Sequence, residues 1–296
     1  MSDHVTLFEV GPRDGLQNEK TLIPTDAKIA LIDMLSGSGL KKIEATSFVS
    51  PKWVPQLTDA VEVMAGIKRA PGVKYAVLTP NMKGMERAIA SKASEVAVIA
   101  SASEGFSQQN INCSINESFE RFAPILEAAR ANHIPVRGYV SCAVECPYDG
   151  KTNPTFVANV AERLIALGCY EVSVADTIGR ATPPDVKKMV EAVLSVVPAD
   201  KIAGHFHDTG GRAIDNIEVS LKQGIRTFDS AVGGLGGCPY APGAAGNVAT
   251  ETVLDFLNKA GFSTGVDVNA IKCASDFIRM LTISGGHHVN GGLNTQ

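Results

Sequence analysis

Eight short β-rich runs alternate with helical stretches along the whole of this chain, and no other feature restricts its fold as strongly. The runs lie at residues 5–10, 42–48, 73–79, 95–101, 136–142, 171–176, 201–207 and 227–232. Each run is followed by turn residues and then by a helical stretch, a pattern that predicts parallel strands joined by crossover helices. Eight such units without an interrupting linker or repeat favour a closed barrel over an open, doubly wound sheet.

The length agrees with this architecture, because α/β barrels of roughly 250 residues commonly form one continuous domain. We predict that residues 1–296 are a single α/β domain of the TIM (β/α)8 barrel type. The barrel is expected over about residues 5–260, and a C-terminal extension over about residues 261–296. This extension contains an extra predicted helix at residues 267–283.

The helical stretches carry their own start signals and apolar stripes. Thr182 can cap a helix in which Pro183 and Asp185 occupy the first turn. The apolar residues that follow have the spacing of one helix face covering a sheet: Val186, Met189, Val190, Val193, Leu194 and Val197. Ser114 and Glu117 form a second predicted capping box.

Composition and charge exclude several classes of function. The chain is 45% hydrophobic and 20% charged, as soluble globular proteins are. Its net charge of −4, without a run of Lys or Arg, argues against nucleic acid as a partner. No stretch of about 18 apolar residues predicts a membrane span, and the first residues lack a secretory signal, so we expect a cytoplasmic protein. Six cysteines without a CxxC pair predict neither a disulfide framework nor a zinc ribbon.

The segment HFHDTGG, residues 205–211, places two of the six histidines on one predicted strand. Residues two apart in a strand point to the same side, so His205 and His207 both face the barrel interior near its C-terminal end. Paired imidazoles are poor core packing but good adjacent ligands for one cation. By itself the pair is equally compatible with two hydrogen-bonded structural histidines. Asp208 has the opposite parity, so we expect it to cap a helix or to support the histidines.

Further polar residues collect at the same ends of other predicted strands. Arg13 and Asp14 follow the first strand, Glu44 lies in the second and Asp176 ends the sixth. Each has a structural alternative, since Arg13 and Asp14 can form a salt bridge and Glu44 can neutralise Arg13. Lysines lie instead at strand starts, at positions Lys41, Lys42, Lys74 and Lys201. A Schiff-base aldolase needs a lysine at the catalytic end, so this pattern disfavours imine chemistry.

A glycine-rich segment, GGLGGCPYAPGAAGNVATE at residues 233–251, follows the last predicted strand. Such a loop can approach a ligand closely or move as a lid, although glycine and proline also build plain connections. Cys238 at its centre is a candidate proton donor or nucleophile. Asn247 either caps the next helix or offers an amide oxygen to the same cation, and Glu251 can support it through a hydrogen bond.

The candidate ligands combine oxygen and nitrogen donors without a thiolate. One aspartate, the two histidines and the amide oxygen of Asn247 suit Mg²⁺ or Mn²⁺ better than Zn²⁺, which prefers fewer ligands in a tetrahedral arrangement.

Several motifs together resemble the 3-hydroxy-3-methylglutaryl-CoA lyase family. They are GPRDGLQNEK, IEATSFVSPKWVPQ, NINCS, GYVSCA, DTIG, HFHDTGG and the glycine-rich segment. The similarity runs from Phe8 to Leu257, and the glycine-rich cysteine loop is the most specific part. The resemblance implies a TIM barrel, a bound Mg²⁺ or Mn²⁺, a homodimer, and retro-Claisen cleavage of an acyl-CoA substrate to acetyl-CoA and acetoacetate.

The resemblance also implies residue roles by position. Asp14, His205, His207 and Asn247 correspond to the metal ligands. Arg13 corresponds to the residue that faces the thioester oxygen, and Cys238 to the acid on the loop. Three more positions belong in or around catalysis, namely Glu44, Asp176 and Glu251. The general base stays open between Asp176 and His205.

Three alternatives to cleavage of 3-hydroxy-3-methylglutaryl-CoA stay open: another acyl-CoA substrate, a related synthase or aldolase, and a protein that only binds. The acyl group can be a larger branched 3-hydroxyglutaryl-CoA, and departures from the family pattern at Gly210, Gln108 and Gln109 bear on how CoA is held. A Claisen-type synthase or hydroxy-keto-acid aldolase shares the fold, but the glycine-rich loop argues against it. A barrel that only binds an acyl-CoA or a partner is disfavoured because it would be free to lose part of the polar set.

Overall fold

The chain forms a closed barrel of eight parallel strands, as predicted. The structure, a computed structural model, describes residues 3–236 and 246–284. The barrel strands are β1 (Thr6–Glu9), β2 (Lys42–Ser47), β3 (Lys74–Leu78), β4 (Glu95–Ser101), β5 (Val136–Ser141), β6 (Glu171–Asp176), β7 (Ile202–Phe206) and β8 (Thr227–Ser230). Each strand pairs with its neighbours in chain order, and β1 closes the ring by pairing with β8.

Helices cover the outside of the ring. They are α1 (Thr25–Gly37), α2 (Ala60–Gly66), α3 (Met82–Ala90), α4 (Glu104–Ile111), α5 (Ile115–Ala131), α6 (Pro154–Leu167), α7 (Pro183–Leu194), α8 (Ala213–Lys222), α9 (Thr250–Lys259) and α10 (Val268–Ser284). Both predicted capping boxes are present, at Thr182 with Asp185 and at Ser114 with Glu117. A short hairpin joins Glu145–Cys146 to Gly150–Lys151.

Successive residues of each strand point to opposite sides of the barrel wall, and this alternation creates two buried regions. Alternate residues that point outward pack under the helices in the main core, for example Val172, Val174 and Phe206. Residues that point inward form a second, smaller cluster around Leu78 and Tyr139 and, beside it, a layer of buried charges. The polar end of this interior lies at the C-terminal ends of the strands, where the candidate site is found.

The predicted extra helix is confirmed as α10, which packs against α1. Arg279 on α10 donates a hydrogen bond to the carbonyl of Gly233, at 3.2 Å, and so ties this helix to the turn after β8. Among residues 3–236 and 246–284, no helix is long and apolar enough to cross a membrane.

Candidate metal centre and substrate cavity

Three predicted ligands meet at the C-terminal end of the barrel. Asp14 lies on a π-helical turn, Gly11–Gly15, directly after β1, while His205 lies in β7 and His207 just beyond it. The Oδ2 atom of Asp14 is 3.9 Å from Nε2 of His205 and 4.0 Å from Nε2 of His207. One ligand atom from each of the three side chains lies within 4.8 Å of the others.

These separations fit a cation held between the side chains. Distances of 3.9 and 4.0 Å are too long for hydrogen bonds. Ligand atoms that each lie about 2.0 to 2.2 Å from one ion are themselves roughly 3 to 4 Å apart. In addition, Nδ1 of His207 is buried without a hydrogen-bond partner among the described residues. This unpaired nitrogen is not the one that faces Asp14, and such a buried polar atom is rare unless water completes its hydrogen bonds.

Asn247 also reaches the cluster, but not as a helix cap. Its amide nitrogen donates to Oδ2 of Asp14 at 2.8 Å, and its backbone forms a β-bridge with His207. The capping alternative is wrong, because α9 begins at Thr250 and its N-cap is Ala249. The nitrogen rather than the oxygen of the amide faces Asp14, so a ligand role for Asn247 requires the amide to turn over and stays a prediction.

Arg13 joins the cluster to Glu44. Its Nε atom donates to Oε2 of Glu44 at 2.7 Å, and Nη1 donates to Oδ1 of Asp14 at 2.5 Å. Tyr139 donates to the same Glu44 oxygen at 3.2 Å. The other oxygen of Glu44, Oε1, is buried and has no partner in the part of the chain that the structure describes. Both structural alternatives from the sequence are therefore present as contacts, within the candidate site itself.

A cavity of about 230 Å³ opens above this cluster. It is lined by Arg13, Asp14, Gln17, Asn18, Ile99, Phe106, Asn110, Tyr139, Ser141, Ala175, Thr177, His205 and His207. The sequence reasoning did not assign Tyr139 or Ser141, although both have the inward parity of β5 and lie in the quoted GYVSCA motif. Applying the parity rule to β5 as to β7 would have found them.

A model of the family described as HMGL-like matches residues 4–278 of this chain. The chain belongs to the HMGL-like family. The mitochondrial hydroxymethylglutaryl-CoA lyase of Mus musculus is 56% identical to it over 274 residues, which cover 93% of this chain and 84% of that protein. The family predicted from the motifs is thereby confirmed.

Two further HMGL-like relatives are similar over most of their length. A Pseudomonas aeruginosa protein named 3-hydroxy-3-isohexenylglutaryl-CoA/hydroxy-methylglutaryl-CoA lyase is 59% identical, over 90% of this chain and 89% of that protein. The crystal structure of the HMG-CoA lyase of Brucella melitensis is 59% identical and superposes with a TM-score of 0.94, covering 95% of this chain and 99% of that one.

Electrostatics in this HMGL-like site favour a cation. Burial alone raises the pKa of Asp14, but the charges of Arg13 and the two histidines outweigh it and hold that pKa well below its usual range. Burial, together with the charge of His205, lowers the pKa of His207 to about 4, so its imidazole is neutral at pH 7. Asp14 and His207 thus have the protonation that metal binding requires, whereas at His205 burial lowers the pKa but the hydrogen bond and charge of Asp229 outweigh it and raise that pKa above its usual value.

Asp176 lies beside this cluster but does not line the cavity. Its Oδ2 atom accepts from the backbone of Ala181 at 2.9 Å and its Oδ1 atom from that of Arg180 at 3.3 Å. Asp176 therefore has the outward parity of β6, whereas Ala175 lines the cavity. Burial raises the pKa of Asp176 to about 6. A part for Asp176 in catalysis stays a prediction, and of the two candidate bases only His205 borders the cavity.

Glu251 supports a different neighbour from the one expected. Its carboxylate accepts from the backbone of Gly233 at 3.1 Å, from Ser275 at 2.8 Å and from Arg279 at 3.3 Å. These contacts join α9, α10 and the turn after β8, and none of them is to Asn247. Cys238, the predicted loop acid, lies outside the described residues.

Proposed function

We propose that this chain is a divalent-cation-dependent carbon–carbon lyase that cleaves 3-hydroxy-3-methylglutaryl-CoA to acetyl-CoA and acetoacetate. The observation that carries this proposal is the convergence of Asp14, His205 and His207 beside the buried Arg13, at the floor of a cavity in an HMGL-like barrel. Relatives at 56% and 59% identity bear the name of this activity.

Asp14, His205 and His207 would hold the cation, with Asn247 as the fourth protein ligand if its amide turns. The hard carboxylate oxygen and the two imidazoles suit Mg²⁺ or Mn²⁺. When bound, such an ion lowers the pKa of a substrate hydroxyl and holds the substrate oxygens in one geometry. The hydroxyl proton would pass to Asp176 or to His205, and His205 could accept it only through Nε2, while that atom does not hold the cation.

Arg13 would stabilise the charge that develops on the thioester oxygen. Its guanidinium is buried and fixed by Glu44 and Asp14 through Nε and Nη1. Its third nitrogen, Nη2, makes no hydrogen bond to residues 3–236 or 246–284, while Arg13 itself lines the cavity. A donor fixed in advance costs no reorganisation during the reaction and is typically worth roughly 3 kcal/mol of transition-state stabilisation.

Cys238 would return a proton to the enolate and so release acetyl-CoA. The backbone of Gly236 lies beside both Asn247 and Gly15, and it also touches Gly246 where the chain is next described. Gly236 and Gly246 are the described residues on either side of the segment that contains Cys238. The anchoring of both loop stems next to the ligands supports this role for Cys238.

A larger branched acyl group is the second candidate substrate. The Pseudomonas aeruginosa relative, at 59% identity, is named for a 3-isohexenyl as well as a 3-methyl substrate. In this chain the apolar part of the cavity wall comes from Ile99, Phe106 and Ala175. A panel of 3-hydroxyglutaryl-CoA thioesters of increasing branch length would compare kcat/KM directly. The acyl-CoA that gives the highest value is the substrate we assign.

The deciding experiment measures acetyl-CoA release by the chelator-treated protein before and after addition of Mn²⁺ or Mg²⁺. We expect release only with the cation present. Condensation of acetyl-CoA in preference to cleavage would favour a synthase, and thioester binding without turnover by any of the panel would favour a binding protein. We further propose a cytoplasmic homodimer that takes neither nucleic acid nor a membrane as partner; size-exclusion chromatography with light scattering tests the dimer.

A further inference from the structure

A layer of buried charge lies directly beneath His205. Asp229 in β8 accepts hydrogen bonds from Nη1 and Nη2 of Arg137, at 3.1 and 2.7 Å, and from the hydroxyl of Ser173 at 2.8 Å. Its Oδ2 atom is also 3.1 Å from Nδ1 of His205. Arg137 is completely buried and is held from its other side by Glu171, at 2.8 Å.

This arrangement leaves one way to pair Asp229 with His205. The bidentate contact with Arg137 keeps the carboxylate ionised, so Asp229 has no proton to donate. The hydrogen between the two groups must therefore sit on Nδ1 of His205. In the neutral ring, Nε2 then carries a free lone pair, and this is the atom that faces Asp14 at 3.9 Å.

We propose that Asp229 is a positioning residue for the cation site, which fixes the tautomer and ring orientation of His205 so that Nε2 serves as the ligand atom. The inference rests on the cation proposed above and adds the residue that prepares its ligand. Arg137 and Ser173 hold Asp229 in place. Metal-bound histidines commonly donate their other ring nitrogen to a carboxylate, and loss of that partner typically weakens metal binding about 10- to 100-fold.

The contrast with His207 supports the assignment. Nδ1 of His207 is buried and has no hydrogen-bond partner among the described residues, whereas Nδ1 of His205 has Asp229. The two imidazoles also come from one strand and its extension, with ring centres 5.2 Å apart. Of the two, His205 is the ligand whose orientation is set before any ion arrives.

The substitution Asp229→Asn tests this role without changing the size of the side chain. An amide nitrogen in place of Oδ2 donates to Nδ1 of His205 and moves the ring hydrogen to Nε2, which then cannot bind a metal. An amide nitrogen in place of Oδ1 leaves a neutral oxygen, a weaker acceptor than the carboxylate, for Nδ1 of His205, and in either place the nitrogen faces a donor of Arg137. We expect the Kd for Mn²⁺, measured from the electron paramagnetic resonance of free Mn²⁺, to rise about 10- to 100-fold.

Glu171→Gln is the matched control, because it alters the same buried network on the side of Arg137 away from His205. We expect its Mn²⁺ affinity to stay within about threefold of the wild type, since outer partners act through the ligand that they touch. An Asp229→Asn protein with unchanged affinity, or one weakened no more than the control, would overturn the inference. If the wild type itself binds no Mn²⁺, the proposed cation site is wrong. If the wild type binds Mn²⁺ and Asp229→Asn binds it equally well, only the proposed role of Asp229 is wrong.

A measurement on the unaltered protein covers the case in which Asp229→Asn does not fold. Two-bond ¹H–¹⁵N spectra of histidine-labelled, metal-free protein at alkaline pH distinguish the two imidazole tautomers. The signals of His205 are identified by their loss in His205→Ala. We expect the hydrogen on Nδ1, and a hydrogen on Nε2 would exclude the proposed role of Asp229.

Discussion

Glu9, at the C-terminal end of β1, shows how one buried side chain holds the loops of the site together. Its Oε1 atom accepts from the backbone of Gly11 at 2.7 Å and of Val232 at 2.9 Å, and its Oε2 atom accepts from Thr250 at 2.7 Å. Gly11 begins the turn that carries Asp14, and Val232 begins the approach to the glycine-rich loop. Glu9 therefore joins two loops and α9 without contacting the ligands.

The stability of the protein should depend on pH through this carboxyl. Burial raises the pKa of Glu9 from 4.5 to about 7. Because the folded-state pKa is the higher one, its contribution is fully present below pH 4.5 and is lost as the pH rises through about 7. We expect the wild type to lose about 2 to 3 kcal/mol of unfolding free energy between about pH 5 and pH 8 from this group.

Glu9→Gln is the comparison for that measurement. Its amide oxygen can accept from Gly11 and Val232 while its amide nitrogen donates to Thr250, so the fold is kept. Urea unfolding at both pH values should show the extra loss only in the wild type. Parallel pH profiles of the two proteins would contradict the assignment to Glu9.

The role proposed for Cys238 gives a kinetic prediction. Cys238→Ala should bind Mn²⁺ and substrate as the wild type does and lose most of its turnover, because general acid catalysis typically contributes about 10²- to 10⁴-fold. Isothermal titration measures the binding and acetyl-CoA release measures kcat. Unchanged kcat would remove Cys238 from the reaction.

At the scale of elements, the carboxylate of Glu251 joins α9 to α10 through hydrogen bonds. Its carboxylate receives Ser275 and Arg279 from α10 and the backbone of Gly233 from the turn after β8. These hydrogen bonds hold Gly233, the first residue of the glycine-rich segment, from outside the barrel. Glu251 therefore influences the loop through α10 and the turn rather than through Asn247.

The substitution Glu251→Ala distinguishes an effect through α10 and the turn after β8 from direct support of Asn247. Removing the acceptor leaves partly buried donors unpaired, which should cost about 1 to 3 kcal/mol of unfolding free energy. Turnover should fall by up to about 100-fold as the loop stem shifts. The Kd for Mn²⁺ should hardly change, and Ser275→Ala, which removes one of the contacts, should have a smaller effect on kcat. A large loss of Mn²⁺ affinity would restore the direct support of Asn247 that the sequence suggested.

For the whole molecule, binding of the cation should stabilise the folded barrel. Free Mn²⁺ at 100 times its Kd adds about 2.7 kcal/mol, which for a chain of this length raises the Tm by roughly 4 to 5 °C. Differential scanning calorimetry with and without a chelator measures the shift. His207→Ala should abolish it, and an undiminished shift in that variant would place the ion elsewhere.

Sequence patterns located the barrel well because hydrophobic alternation and turn residues are local signals. Every predicted strand lies within two residues of an observed one, for example 95–101 against Glu95–Ser101. The same parity placed His205 and His207 on one face and sent Asp208 to the other, where it accepts from the backbone of Ala213 at 3.0 Å. Parity was the signal for the two histidines, whereas Asp14 was found from its position after the first strand and from the family resemblance.

What the sequence could not provide were partners decided by tertiary packing. Asp176 was chosen by its position at a strand end, although its parity already pointed it away from the cavity. Asp229 lies in the middle of β8, and nothing local distinguishes it from a structural acid until Arg137 and His205 are seen around it. The contacts of Glu251 with α10 likewise depend on where a distant helix docks.

The ring closes between β1 and β8, and the ligands sit on that seam, with Asp14 from the first unit and both histidines from the seventh. During synthesis, a nascent chain that has emerged as far as β6 carries the carboxylate but neither imidazole. Such an intermediate has no place to capture an ion. Acquisition of the proposed cation would thus mark the moment at which the two extremities of the barrel have met.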